Sequence, residues 1–306
     1  MANVLNTTAT STLSPEMQTF YDKDLLRNAK PVLVHNQFGQ KRNIPKNGGK
    51  SINFRRFSPL PKALTALTEG VTPDGQALTV TDLTATVSQY GDYVALTDVL
   101  QLAAIDPVLT EANKLLGVQA GETLDRLTAD ILNAGTNVQY SGGKTARASL
   151  TATDVLKVDD IKKAVRTLKN NYAKKIKGAY VGIIHPDVAY DLTNDPKWEA
   201  VKTYDPKDWY NGEIGRICGV RFVETPEAVT FDASGKTVYS TLILGADAYG
   251  VTTIDGGGLT TIVKQLGSAG SADPLDQRSS SGWKALHTAK ILVEEYMVRI
   301  ESCATA

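Results

Sequence analysis

The order of its periodic segments predicts an α+β fold for this 306-residue chain, with helices and strands mixed and no repeating βαβ unit. Three observations predict it. Residues 107–135 place apolar side chains at helical spacing over a long stretch. Segments at 51–57, 77–97 and 283–300 instead alternate apolar with polar residues at period two. Thr, Ala, Gly and Val are plentiful, which favours strands and tight packing over long helical bundles. No segment repeats another.

Residues 1–14 are rich in Thr, Ser and Asn and have few groups to bury. Alone they are expected to be disordered, and a neighbouring subunit is the natural surface to hold them. Ser14 at the cap and Pro15 at the first helical position predict a short helix that ends before Pro31. The segments 51–57 and 77–97 read as the strands of a hairpin, joined by "SPLPKALTALTEGVTPDGQ", a linker longer than hairpins normally use. So little apolar content cannot bury both faces. The hairpin is expected to project from the body and to need a partner surface.

Pro107 opens the clearest helix, with Leu109, Ala112, Leu116, Ala120, Leu124, Leu127 and Ile131 in one stripe and Gly135 as its stop. At about 1.5 Å per residue it runs roughly 40 Å, enough to be a spine. Gly117 and Gly121 lie inside it at about 1 kcal/mol each relative to Ala, which implies bending or close packing. A second helix is expected within 153–173, striped by Ile161, Ala164, Val165, Leu168 and Tyr172. "AYVGIIHP" reads as a buried strand, and "PDVAYDLTND" and "PKWEAVKTY" as short helices. In the last run Trp283, Ala285, His287, Ala289, Ile291 and Val293 share one face. Tyr296, Val298 and Ile300 take the other parity, so a bulge near Glu294-Glu295 is expected.

Lys plus Arg and Asp plus Glu balance at 33 each, which excludes the basic surplus of a free nucleic-acid-reading domain. Eight basic residues nevertheless gather between Lys157 and Lys177. A run of this kind is most often a solvated helix face; the sharper reading is a surface that meets a polyanion. The N-terminus has neither a basic nor an apolar leader region, and no run approaches the roughly 20 apolar residues needed to span a bilayer. A soluble chain made inside the cell, with no membrane partner, is expected.

Chemistry is sparse. Cys218 and Cys303 are the only cysteines and form no C-x-x-C, and His35, His185 and His287 fall in no metal-ligand spacing. No metal or cofactor is expected. "GEIGRICGVRFVETPEA" (212–228) has the glycines of an anion loop, but Val220 to Glu224 alternate like a strand and no helix start follows. Cys218 is expected to be a buried strand cysteine, although Arg216 and Arg221 stand near it in sequence.

Three segments, "YVGIIHPDVAYDLTNDPKW", "GEIGRICGVRFVETPEA" and "DPLDQRSSSGWKALHTAKILVEEYMVRIES", follow the spine helix in this order. With the arm and the long hairpin before them, they make the chain resemble the major capsid proteins of tailed bacteriophages, which have the Hong-Kong-97-type fold. Within these it is most similar to the N-four-type podophage group. The resemblance implies five parts: an N-terminal arm and short helix (1–47), an extended hairpin or E-loop (48–97), a spine helix and P-domain (98–177), an A-domain (178–280), and a C-terminal strand returning to the body (281–306). It implies a virion capsid subunit, assembled in the host bacterial cytoplasm into hexamers and pentamers, without catalytic residues. Lys50, Arg55, Arg56, Phe57, Lys62 and Glu69 become candidates for contacts between subunits. Lys162, Lys163, Arg166 and Lys169 become candidates to face a double-stranded DNA genome without sequence specificity. A separate scaffolding protein, a portal protein and a decoration protein are the partners it suggests. Lys50 and Lys62 lie where some members crosslink, but no matching motif assigns that chemistry here.

Three other readings stand beside this one. They are an encapsulin-type nanocompartment shell, a tail-tube or sheath subunit, and an enzyme using Cys218.

Overall fold

The computed structural model describes residues 23–29, 33–72, 74–103, 107–198, 216–233, 235–268, 273 and 275–305. The expected arm over 1–14, the start of the first helix, Gly212, Gly215 and most of "PKWEAVKTY" lie outside them. In chain order the helices are α1 (residues 23–29), α2 (Asp98–Ala103), α3 (Val108–Asn133), α4 (Val158–Asn170) and α5 (Pro186–Thr193). The strands are β1 (Gln40–Ile44), β2 (Ser51–Phe57), β3 (Val80–Thr86), β4 (Ser88–Thr97), β5 (Val138–Tyr140), β6 (Tyr180–Ile184) and β7 (Arg216–Ile217). They continue with β8 (Val220–Glu224), β9 (Thr230–Asp232), β10 (Thr237–Leu244), β11 (Tyr249–Ile254), β12 (Thr260–Lys264), β13 (Arg278–Ile291) and β14 (Met297–Ser302).

Two sheets form the body. A seven-stranded sheet runs β5-β14-β10-β6-β8-β7, with β9 beside β10. Its faces are both covered. Ile161, Ala164, Val165 and Leu168 of α4 and Val188 and Leu192 of α5 pack on one side with Ile184, Ile243 and Ile300. Leu132 of α3, Val34 and Tyr249 pack on the other with Ile183, Leu242 and Leu244. A strand buried on both faces needs apolar residues at every position, which is why "YVGII" reads as a continuous run. The second sheet is built on β13, the longest strand, which pairs with β11, β12 and β4. Trp283 and Ala285 of β13 meet Leu116, Ala120 and Leu124 of α3 together with Leu25 of α1. Gly117 lets α1 approach: a Cβ there would stand 2.9 Å from the Leu25 carbonyl oxygen. The close-packing role expected of this glycine is present.

Several expectations are corrected. The 77–97 run is two strands. β3 pairs with β2, but β4 leaves the hairpin after Val87 and pairs with β13 over ten residues, so the hairpin proper ends at Thr86. α2 follows directly where no helix was expected. Glu294–Tyr296 form a 3-10 turn where a bulge was expected, because β13 and β14 belong to different sheets and the chain must change direction between them. Tyr172 is exposed with a φ of 56° beyond the end of α4, and so leaves the predicted stripe. In α3 the buried stripe takes in Asn113, Asp125, Thr128 and Asn133, while Leu109, Leu127 and Ile131 are only half-buried.

Candidate assembly surfaces

The hairpin depends least on its own chain. Its inner face presents Ile52, Phe54, Arg56, Leu83 and Ala85, of which Phe54 and Ala85 are buried. Phe54 seats over Gly250, where a Cβ would lie 2.8 Å from the ring, so only glycine leaves this slot open. The Arg42 guanidinium sits 5.6 Å from the centre of the same ring. Arg56 reaches Glu295 at 3.3 Å. Beside that pair a groove of about 690 Å³ separates Thr81 and Leu83 from Ile131, Ala134 and Ile291. Farther out, Phe57, Leu60, Leu64, Leu67, Val71 and Leu78 lie in solvent, Leu64 with 86% of its surface exposed. A concentration of exposed aliphatic groups on one loop marks an interaction surface.

The candidate contact residues fall along this element. Lys50, Lys62 and Glu69 are exposed. Arg55 lies on the outer face with Asp82 at 3.6 Å, and Phe57 is exposed at the far end of β2. The candidate genome-facing residues are brought together as well. Lys162, Lys163, Arg166 and Lys169 all project from the exposed side of α4, opposite Ile161, Ala164, Val165 and Leu168. Lys162 and Lys163 turn back toward Asp159 at 3.6 Å and Asp160 at 3.3 Å, and Asp159 also binds Lys197. Lys174, Lys175 and Lys177 extend the exposed basic surface beyond the helix.

Cys218 is not on a strand. It and Gly219 form the two-residue turn between β7 and β8, with φ of 51° and 82°, in the left-handed region that such turns favour. The half-buried thiol packs against the core beneath α4, and burial pushes its pKa up, against the opposing pull of Lys162 and Lys169. A raised thiol pKa is the reverse of what a nucleophile needs. His185 is engaged elsewhere: its Nδ1 accepts the Asp187 N–H at 3.2 Å and caps α5.

Sequence reasoning missed two buried polar clusters. In the first, Asp125 of α3 accepts the His35 backbone N–H at 2.7 Å and lies 2.6 Å from its Nδ1. One turn on, Thr128 meets Nε2 of His287 on β13 at 2.9 Å, and Tyr249 of β11 donates to the His35 carbonyl. Burial lowers the His287 pKa to about 4, against the opposing influence of Asp125. In the second, Glu301 of β14 accepts both Nε and Nη2 of Arg147 at 2.7 Å and lies 3.1 Å from Arg299. Arg147 stacks 3.7 Å over the Phe231 ring. The signal for the first cluster was available: Asn113, Asp125 and Thr128 interrupt the apolar side of the spine at helical spacing. Nothing local announces the second.

This combination of a spine helix, two sheets and a projecting hairpin is the architecture of virus-shell subunits. A family model described as phage capsid protein matches residues 80–300, and the chain belongs to that family. Solved structures share the Hong-Kong-97-type fold. The capsid of Ralstonia phage GP4 matches at a TM-score of 0.69 with 16% identity, covering 89% of each chain. The capsid of cyanophage Pam1 matches at 0.69 with 15% identity over 100% of both chains. A virus-like particle from Pyrococcus furiosus matches at 0.56 with 12% identity, over 93% of this chain and 99% of that one. No curated protein matches the sequence. The chain is a major capsid protein, a structural subunit that self-assembles into an icosahedral shell and resides in the virion.

Proposed function

We propose that this subunit forms the hexamers and pentamers of a tailed-phage head around double-stranded DNA, with the hairpin laid over a neighbour and the basic face of α4 turned to the genome. The observation that carries the reading is the hairpin itself. It has one buried aromatic anchor at its base and a loop of solvent-exposed aliphatic groups beyond it, an arrangement that is stable only when another surface covers it. Lys50, Arg55, Arg56, Phe57, Lys62 and Glu69 supply its neighbour contacts. A separate scaffolding protein and a portal protein complete the assembly, which takes place in the host cytoplasm. The subunit performs no catalysis; the raised Cys218 thiol and the engagement of His185 in a helix cap support this. The narrower kinship with N-four-type capsid proteins rests on the three sequence segments that carry it.

Electron microscopy of the purified chain, with and without a co-expressed scaffold, is the direct test. Icosahedral shells or hexamer sheets are the expected result, and a persistent monomer would sink the reading. Neutralising Lys162, Lys163, Arg166 and Lys169 together is expected to lower DNA retention in filled heads while empty shells still form. A second reading is a cellular nanocompartment shell, favoured by the fold shared with the Pyrococcus furiosus virus-like particle. Shells purified with an enzyme cargo and no DNA would identify it.

A further inference from the structure

We infer that the outer edge of β4 is a strand-pairing site for a second copy of this chain, and that the strand it receives is β2 of that copy's hairpin. The inference rests on the shell-forming reading above and names the surfaces that meet.

β4 pairs with β13 on one side, and among the described residues no strand pairs with its other side. The ladder shows which groups face outward. Asp98 continues the β4 register and donates its N–H to the Gln277 carbonyl at 3.0 Å, so the even-numbered residues of β4 are those bonded to β13. In an antiparallel pair the alternate residues direct both N–H and C=O away from the partner. Gln89, Gly91, Tyr93 and Ala95 therefore offer their backbone groups to the open side. Tyr93 bears this out: its N–H is held by the Asp92 side chain at 2.8 Å, a local substitute for a neighbouring strand. All four residues are exposed, Tyr93 with 70% of its surface in solvent. Proteins usually blunt an edge this long with lysine, proline or a bulge. The β4 sequence, SQYGDYVALT, contains no lysine or proline.

The same chain carries a matching unfinished strand. Ser58 donates to the Thr79 carbonyl at 3.0 Å and Val87 to the Lys50 carbonyl at 2.8 Å, in register with the β2–β3 ladder. By the same alternation, Ser51, Asn53, Arg55 and Phe57 turn their backbone groups outward from β2. Among the described residues β3 has an open edge too, but charge separates the two. β3 would bring the charge of Asp82 to a strand whose one charged residue is Asp92, whereas β2 brings Arg55 and Arg56 to it. Phe57 and Tyr93, both exposed, add an aromatic pair of the kind that stabilises neighbouring strands. Only Val87 joins β3 to β4, too short a link for the chain's own hairpin to double back along β4. A hairpin from another copy has no such limit, and strand addition satisfies backbone groups that would otherwise face solvent.

The test uses the full chain with its scaffold. Ala95→Pro removes an outward N–H and leaves the bonds to β13 in place, so the variant is expected to keep the wild-type unfolding midpoint while shell yield falls at least tenfold. Val94→Pro, by contrast, should lower the midpoint itself. Mixed assemblies of Tyr93→Cys chains with Asn53→Cys, Arg55→Cys or Phe57→Cys chains are expected to form a disulfide between copies in at least one mixture. Ala95→Pro shells at wild-type yield would overturn the inference, as would intact shells in which none of the three mixtures links. If Ala95→Pro does not fold, the crosslinks decide alone. A wild-type chain that forms no shells overturns the shell reading as well, and that result is visible before any variant is made.

Discussion

The seven-stranded sheet and the hairpin are both made of short strands, yet they reach opposite conditions. β10 and β14 lie between two apolar layers, and the charged residues of β14, Arg299 and Glu301, are closed into ion pairs. β2 and β3 have one inward face, one buried ring and, among the described residues, no strand on either outer edge. The first region holds its structure through its own contacts. The second is a surface awaiting one, and the difference lies in what packs against each strand, since strand propensity is similar in both.

The largest expected effect falls on the self-contained region. Replacing Glu301 with Ala leaves the buried Arg299 and the half-buried Arg147 without their carboxylate, at a cost of about 3–5 kcal/mol, readable by denaturant unfolding. Amide exchange in β2 and β3 should change little, because the hairpin lies outside that network. An equal loss of protection in both regions would break the comparison.

Next is an acid dependence centred on His287. Its folded pKa, about 4, lies below the ordinary 6.5, so the unfolded chain binds the extra proton first as pH falls. The stability is complete above about pH 6.5 and is lost progressively down to about pH 4, amounting to about 3 kcal/mol. His287→Gln should remove this part of the pH slope, which unfolding curves at a series of pH values would measure. An unchanged slope would place the acid sensitivity elsewhere.

Phe54→Ala should act locally. Amides of β2 and β3 are expected to exchange at least tenfold faster, while the global midpoint moves by no more than about 1 kcal/mol, because the ring anchors an element that the body does not need. A global loss near the roughly 3–5 kcal/mol usual for a buried Phe would show that the hairpin belongs to the core. The smallest effect is expected from Arg56→Ala, whose half-exposed pair with Glu295 contributes at most about 0.5 kcal/mol by double-mutant cycle. Assembly, not subunit stability, is where its loss should appear.

Much of the layout could be read in the residues. The spine helix, the alternation of β13, the apolar run of β6 and the basic face of α4 are each set by periodicity within one element, and each is found where the pattern put it. The errors came where the next neighbour decides. β3 and β4 look like one strand because propensity does not record which partner a strand pairs with, and the turn after β13 looks like a bulge because parity cannot report a change of sheet. Cys218 was misplaced for a related reason: a cysteine with positive φ is chosen by the turn between β7 and β8, while its composition suggests only a small apolar group.

The class of fold, the positions of the long elements and the absence of a nucleophile motif follow from spacing along the chain and from residue type, and so are written in the residues. Tertiary structure alone decided that β4 turns to β13, that His35, Asp125, Thr128 and His287 meet across the spine, and that Arg147 and Arg299 share Glu301. Each of those groupings brings together residues from distant parts of the chain. Its favourable free energy exists only once burial has removed the water that would otherwise satisfy the same groups.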